Sequence, residues 1–281
     1  MQNPTSHIRF PLLALGIFLA TFLGVVSGFI YYGVQQNAAN LQSPVSSERM
    51  NILLAGVDYA HGCTDAILLV SLSPDANSIK ILSVPASAKT TVAGGDIKLG
   101  AVYSVGGADM LIEKVTELVP IPVHHYIAAD ISCFQKIVDL LGGVEFDVPY
   151  DMYYQDPSQG LLIDLKKGVQ RLDGEAAQQL VRYTESFTAS DGRDNVQLAF
   201  LEAAILQKRD SLALLPEVLN ELSKNANTDF AIYDAASYTE YAKLFFHADI
   251  FSRRLSGTYE YVGDTLFFIA DDNDALPFLL Q

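Results

Sequence analysis

Apolar residues along the chain fall into three rhythms. The first is unbroken: Phe10–Tyr32 is a run of 23 residues, FPLLALGIFLATFLGVVSGFIYY, without a charge. Beyond it, short apolar runs bounded by Gly, Pro and Asp predict buried strands at Met50–Val57, Asp65–Leu72 and Ser78–Pro85, the last two joined by the turn-forming SPDANS. The third rhythm is helical. Ala108–Val119 sets Met110, Leu111, Val115 and Leu118 on one face, and Ser132–Leu141 is stopped by Gly142-Gly143. Asp173-Gly174-Glu175 opens a further helix to about Thr184, the longest runs from about Asp194 to Asp210, and another follows Pro216. Strand-like stretches at Tyr126–Asp130, Val144–Val148, Gly257–Val262 and Thr265–Ile269 lie between or after these helices. No repeat or long linker interrupts residues 50–281. Interleaved helices and strands predict a single α/β domain whose helices cover a mostly buried sheet.

As a helix, residues 10–32 would reach ~34 Å, enough for a ~30 Å hydrocarbon layer. Arg9 precedes the run and no charge follows until Glu48. The positive-inside rule then puts residues 1–9 in the cytoplasm and the remainder outside. Tyr31 and Tyr32 stand where an interfacial aromatic belt would be. A cleaved signal peptide is the alternative, but its apolar region is normally about 7–15 residues with small residues soon after. The reading is therefore an uncleaved single-pass anchor at the cell membrane (10–32), a polar tether (33–49) and an extracytoplasmic domain (50–281).

Charge sharpens that picture. The 281 residues carry 18 Lys+Arg against 33 Asp+Glu, a net −15, and 50% are hydrophobic. Residues 1–47 hold one basic residue and no acid, which leaves the remainder of the chain at −16. Such a domain lacks the basic footprint that displaces phosphate counterions, so nucleic acid is not an expected partner. Hydrophobic content this high excludes a disordered chain. Two cysteines, Cys63 and Cys133, are too few for a disulfide scaffold or a zinc site, and whether they pair is open. His124-His125 have no acid or Cys at ligand spacing and read as structural or solvated.

Candidate chemistry is sparse. Asp58 closes the first strand, where α/β sheets tend to place ligand sites, and Asp65 opens the second. If those strands form a hairpin, both acids project from one end of the sheet. They could then hold Mg²⁺, which favours one or two carboxylates plus phosphate oxygens. Equally, Asp58 suits a turn and Asp65 a strand end. Arg193 and Gln197 share a helix face four residues apart, near free N–H groups that favour anions, although Asp191 is close enough to pair with the arginine. Arg182 ends a helix, where it complements the dipole or reaches a phosphate. Lys98, in GGDIKLGAVYSVGG, reads locally as a surface lysine.

The order of these segments resembles the LytR-CpsA-Psr family, membrane-anchored enzymes that transfer glycopolymers to the bacterial wall. The resemblance covers about residues 50–281. NILLAGVD is similar to the family's opening strand, and CTDAILLVSLSPDANSIKILSVP to its Thr-Asp strand and the Ser-Ile-Pro strand that follows. DIKLGAVYSVGGADMLIEKVTELVPIPVHHYI, DLLGGVEFDVP, KKGVQRLDGEAAQQLVRY and GRDNVQLAFLEAAI continue in the family's order, and LSGTYEYVGDTLFFIADD resembles its closing strands. The resemblance implies binding of a polyprenyl-pyrophosphate-linked glycan, with the lipid tail in an apolar pocket between sheet and helices. Mg²⁺ and arginines would neutralise the pyrophosphate, and a peptidoglycan hydroxyl would attack. It matches Asp58 and Asp65 to the metal-side acids and Lys98, Arg182, Arg193 and Gln197 to the phosphate-binding set. Asp65, Arg182 and Arg193 carry the catalytic expectation.

Four arginines usual in the family are replaced, by Cys63, Ala86, Thr184 and Val196. Losing one charge-stabilising donor typically costs ~2.7–4 kcal/mol in a transition state. The sequence thus leaves two readings open: a wall-glycopolymer transferase, or a binding or scaffold protein that keeps the fold and presents lipid-linked precursors. A DNA-binding regulator is disfavoured by the acidic, outward-facing domain. Lys89 and Arg171 are the cations that could compensate.

Overall fold

The computed structural model describes residues 49–60, 62–157, 161–183, 191–208, 215–229, 241, 244, 247–271 and 275–280. The chain divides into two units, Met1–Ser47 and Glu48–Gln281, and all described residues belong to the second. Residues 10–32 lie outside the described residues, as does Thr184. No helix among the described residues is long and apolar enough to cross a membrane.

A six-stranded mixed sheet forms the centre. In spatial order it runs β11 (Ala226–Thr228), β6 (His125–Ala129), β1 (Met50–Asp58), β2 (Cys63–Ser73), β3 (Ser78–Ser83) and β12 (Asp249–Arg254). β1–β2–β3 is an antiparallel meander, while β6 joins β1 and β12 joins β3 in parallel. Strands this apolar on both sides need cover on both sides. One face presents Leu53, Ile67, Leu69 and Leu82 to helix α1 (Val102–Leu118) and the short α6 (Ala275–Leu280). The other presents Ile52, Val70, Ile79 and Ile81 to Leu198, Leu201 and Ile205 of α4 (Asp191–Lys208). The expected mixed-sheet α/β domain is present, with helices on both faces.

A third core lies beyond α4. There α2 (Ile131–Leu140) and α3 (Gly174–Arg182) pack with hairpin β8 (Met152–Asp156) and β9 (Leu161–Leu165) and with β7 (Val144–Val148) paired to β10 (Gly168–Leu172). Phe200 and Val196 of α4 pack in this cluster. α4 is apolar on two sides because it separates two cores, a departure from the single stripe of a surface helix. α5 (Leu215–Asn225) leads into β11.

Most predicted elements stand within a few residues of their expected ends. The helix expected from Ala108 does start there: Gly106 (φ −144°, ψ 19°) and Gly107 (φ +66°) are non-helical and separate it from a short helical stretch that begins at Val102. Asp173 caps α3 by accepting from the Ala176 N–H at 2.9 Å, and Asp130 caps α2 through the Cys133 N–H at 2.8 Å. Hairpin β4 (Lys89–Val92)/β5 (Gly95–Lys98) was not anticipated as strands, and neither were β8–β12. β13 (Gly257–Val262) and β14 (Thr265–Ala270) pair as a closing hairpin.

Both cysteines are free, Cys63 partly buried and Cys133 buried. His124 is structural: its Nδ1 accepts from the Asn51 N–H at 2.9 Å, and its own N–H donates to the Asn51 carbonyl at 2.8 Å.

Candidate functional site

Hairpin β1–β2 sets Asp58 opposite Cys63, so the two aspartates do sit at one end of the sheet. The register also slips there. Gly56 faces Ala66 while Val57 faces Thr64, which leaves Asp65 as the extra residue of a β-bulge. A bulge interrupts the ladder and re-aims a side chain. Asp65 is accordingly exposed in a strand that is otherwise largely buried, and its carboxylate has no hydrogen-bond partner among the described residues.

The bulge frees a backbone carbonyl, and Arg193 takes it: Nη2 donates to the Asp65 oxygen at 3.4 Å. Arg193 Nε is buried without a partner. This leaves the guanidinium only loosely engaged, with donor capacity to spare for an anion. One turn along α4, Gln197 Nε2 donates to the Val181 carbonyl at 3.0 Å in the last turn of α3. Gln197 therefore ties α4 to the helix end that carries Arg182. The first turns of α4 thus set Arg193 beside Asp65, while Arg182 lies at the end of the helix that Gln197 holds.

What holds α4 there is an ion pair absent from the sequence reading. Arg254 at the end of β12 donates to Asp194 Oδ2 at 3.0 Å, with side chains only 15% and 5% exposed. Its Nη2 also donates to the Tyr259 hydroxyl at 3.1 Å, and the guanidinium lies 4.6 Å from the Phe268 ring centre. Asp194 directly follows Arg193, so the pair fixes the helix beneath it. The sequence signal was weak: two arginines in a strand, 60 residues from the acid they serve.

Lys98 is tied to the bulge only through the turn that follows it. It ends β5, exposed, immediately before a 3₁₀ turn, Leu99–Ala101. Gly100 in that turn presses on the bulge: a Cβ there would meet the Thr64 carbonyl at 2.7 Å and Ala86 Cβ at 3.1 Å. Only a glycine permits this approach. Lys89 pairs across the hairpin with Lys98 but is engaged with Asp96 at 3.0 Å. Arg171 lies on β10, outside the six-stranded sheet.

The positions where arginines would be expected are filled differently. Ala86 packs against the core, and its carbonyl accepts from the Gly100 N–H at 2.8 Å. Val196 packs in the third core. Cys63 is the most telling: its thiol is pushed above its ordinary pKa by burial, then by the charges of Asp65 and Asp58. A neutral thiol sits where a cation would balance two acids.

Both carboxylates thus bear on the one thiol between them. Among the described residues no group of three or more His, Cys, Asp or Glu could hold a metal ion. Asp58 and Asp65 are two carboxylates at one end of the sheet, and Mg²⁺ is a cation that can be held by one or two carboxylates with water and phosphate oxygens. Beside them Tyr59 is half-exposed, donates to the Ala128 carbonyl at 3.3 Å and meets Tyr103 edge-on at 6.3 Å. Burial, then the hydrogen bond with Tyr103, pushes its phenol up to about 12, so it remains a neutral donor. No motif had flagged it.

The LytR_cpsA_psr family model matches residues 31–278. The chain belongs to the LytR-CpsA-Psr family. Among its relatives is TagV of Bacillus subtilis, a polyisoprenyl-teichoic acid–peptidoglycan teichoic acid transferase, 28% identical over 84% of this chain. That match spans 65% of TagV, just under two thirds of its length. TagU of Halalkalibacterium halodurans, with the same enzyme description, is 26% identical over 79% of this chain and 80% of its own. The crystal structure of B. subtilis TagV superposes with a TM-score of 0.70 at 26% identity, covering 83% of this chain and 98% of that one. TagT bound to LI-WTA gives 0.68 at 22% identity over 84% of this chain and 92% of that one, a likeness of fold.

Proposed function

We propose that this LytR-CpsA-Psr protein transfers a polyprenyl-pyrophosphate-linked wall glycopolymer to peptidoglycan. The observation that carries the reading is the Asp65 bulge, where the side chain is an exposed carboxylate and the backbone carbonyl accepts from a loosely engaged Arg193. The family relatives named as teichoic acid transferases supply the substrate class. The chain is proposed to be held at the cell membrane by residues 10–32 as a single span, with residues 1–9 inside, 33–49 as tether and the α/β domain outside.

Phosphoryl transfer of this kind asks mainly for positioning and charge neutralisation. Arg193 and Arg182 take the pyrophosphate oxygens through planar forks, and Lys98 adds a point charge from the β5 end. Gln197, bound to the Val181 carbonyl, ties α4 to the end of α3 that carries Arg182. Asp58 and Asp65 would hold Mg²⁺, which supplies further neutralisation of the diphosphate when bound. The acceptor hydroxyl oxygen forms a bond to the sugar-side phosphorus as the phosphoanhydride bond breaks. Polyprenyl phosphate leaves with that electron pair, and the hydroxyl proton passes to Asp65.

A second reading rests on Cys63, Ala86 and Val196, which are absorbed by packing or by a neutral thiol instead of supplying charge. On it the chain binds lipid-linked precursor without turning it over. Full-length protein with Mg²⁺, a polyprenyl-pyrophosphate glycan and peptidoglycan separates the two. Transfer that is lost in Asp65→Ala supports the enzyme. Binding without transfer supports the scaffold, and neither binding nor transfer sinks both.

A further inference from the structure

The opposite end of the sheet carries an anomaly of its own. On the face beneath α1 and α6, cross-strand partners Asn51, Ser71 and Lys80 form a polar row over β1, β2 and β3. The next row is Ser73 beside Ser78. All five are buried, between 0% and 7% exposed. Polar groups withdrawn from water ordinarily find partners, yet Asn51 Oδ1 and Ser78 Oγ have none.

Lys80 is the sharper case, being only 7% exposed. Among the described residues no carboxylate pairs with it. Its ammonium lies 5.8 Å from the Phe278 ring centre, and the Arg253 guanidinium lies 5.0 Å from the same ring. Arg49 comes in from the edge, donating from Nη1 to the Ser71 hydroxyl at 3.4 Å and from Nη2 to the Leu280 carbonyl at 3.1 Å. Burial, then the charge of Arg49, pulls the Lys80 ammonium below its ordinary pKa. The acid in register with this floor, Asp249 beside Ser78, is exposed and makes no ion pair with Lys80 or Arg49. In a domain of net −16, Lys80 and Arg49 stand here with no carboxylate paired to either among the described residues. A buried, unbalanced lysine costs stability, and proteins tend to keep such costs where function requires them.

We propose that this floor binds a phosphate-bearing anion, with Lys80 and Arg49 as the charged donors and the Ser78 hydroxyl as a neutral one. Lysine, an arginine fork and a serine hydroxyl together match a tetrahedral oxyanion. This floor is separate from the Asp58–Asp65 corner, which lies seven residues up β1, ~23 Å away. The proposal does not depend on the transfer reading. Arg49 is partly exposed where the chain enters β1, so a lipid headgroup and soluble phosphate are the two sources the test separates.

The test uses the full chain with ¹³C-methylated lysines, the Lys80 signal being assigned by its loss in Lys80→Met. Inorganic phosphate is titrated in maltoside micelles, and separately the protein is placed in phosphatidylcholine nanodiscs with and without phosphatidylglycerol. A saturable Lys80 shift with inorganic phosphate identifies a soluble anion, and one confined to phosphatidylglycerol discs identifies a headgroup. Both support the site. Arg193→Ala should leave the shift intact. Lys80→Met should melt no lower than wild type in phosphate-free buffer and bind the responsive anion at least tenfold more weakly. No Lys80 shift in either setting overturns the proposal, as does unchanged affinity or a lowered melting temperature in Lys80→Met.

Discussion

From Ile67 to Ser73 every residue of β2 is buried, whereas the four before them, Cys63–Ala66, run partly buried, buried, exposed and partly buried. One strand thus serves two ends. Its inner half is paired on both sides, with β1 and β3 in unbroken register. Its outer half is bulged, ends beside two acids, and has a buried Thr64 hydroxyl with no partner. The inner half spends its side chains on packing, where shape complementarity determines stability. The outer half gives up ladder bonds and satisfied polar groups to hold a carboxylate and a guanidinium within reach of solvent.

The largest expected effect tests the inner half. Leu69, fully buried against Leu53 and Leu82, should cost about 2–5 kcal/mol when cut to alanine, read as a lower urea midpoint. A loss below about 1 kcal/mol would show that the inner half is not the packed region described. In the outer half the signs reverse. Arg193→Ala should lower transfer by about 10²–10³-fold and leave unfolding free energy within about 1 kcal/mol of wild type. Equal losses in both readouts would erase the contrast between the halves.

Gly100→Ala probes the seam between them. Its new methyl meets the Thr64 carbonyl and Ala86, so overpacking should cost about 1–3 kcal/mol while also lowering transfer. Wild-type behaviour in both would mean that the 3₁₀ turn does not brace the bulge. The smallest effect is electrostatic. Asp58→Asn removes one of two charges that raise the Cys63 pKa, so the thiolate fraction at a fixed pH near 8 should increase. Alkylation by iodoacetamide should accelerate, by less than about tenfold because burial and Asp65 remain. An unchanged or slower rate would separate Asp58 from the thiol.

What could be read from the sequence follows the same division. Met50–Val57, Asp65–Leu72 and Ser78–Pro85 were legible as strands because buried strands are apolar throughout, and α2 and α3 because their caps are local. The pairing of Asp58 and Asp65 at one end followed once a hairpin was assumed. The bulge was not legible, since it is a mismatch between two strands and appears in neither alone. Arg254–Asp194 was hidden by 60 residues of separation. Lys80 passed as a lone polar residue in SIKILSVP; only the register with Ser71 reveals its row.

The outer edge of β3 is closed by β12, whose register begins with Asp249 against Ser78. Those partners stand 171 positions apart in the chain (249 against 78). Until the last few dozen residues arrive, β3 carries an open row of amide and carbonyl groups, the template on which strands of other molecules can stack. Assembly of this sheet is therefore a late, long-range closure, expected to be slow relative to its local hairpins. A chain released early, or trimmed before Asp249, would keep its meander and both aspartates yet expose an adhesive border.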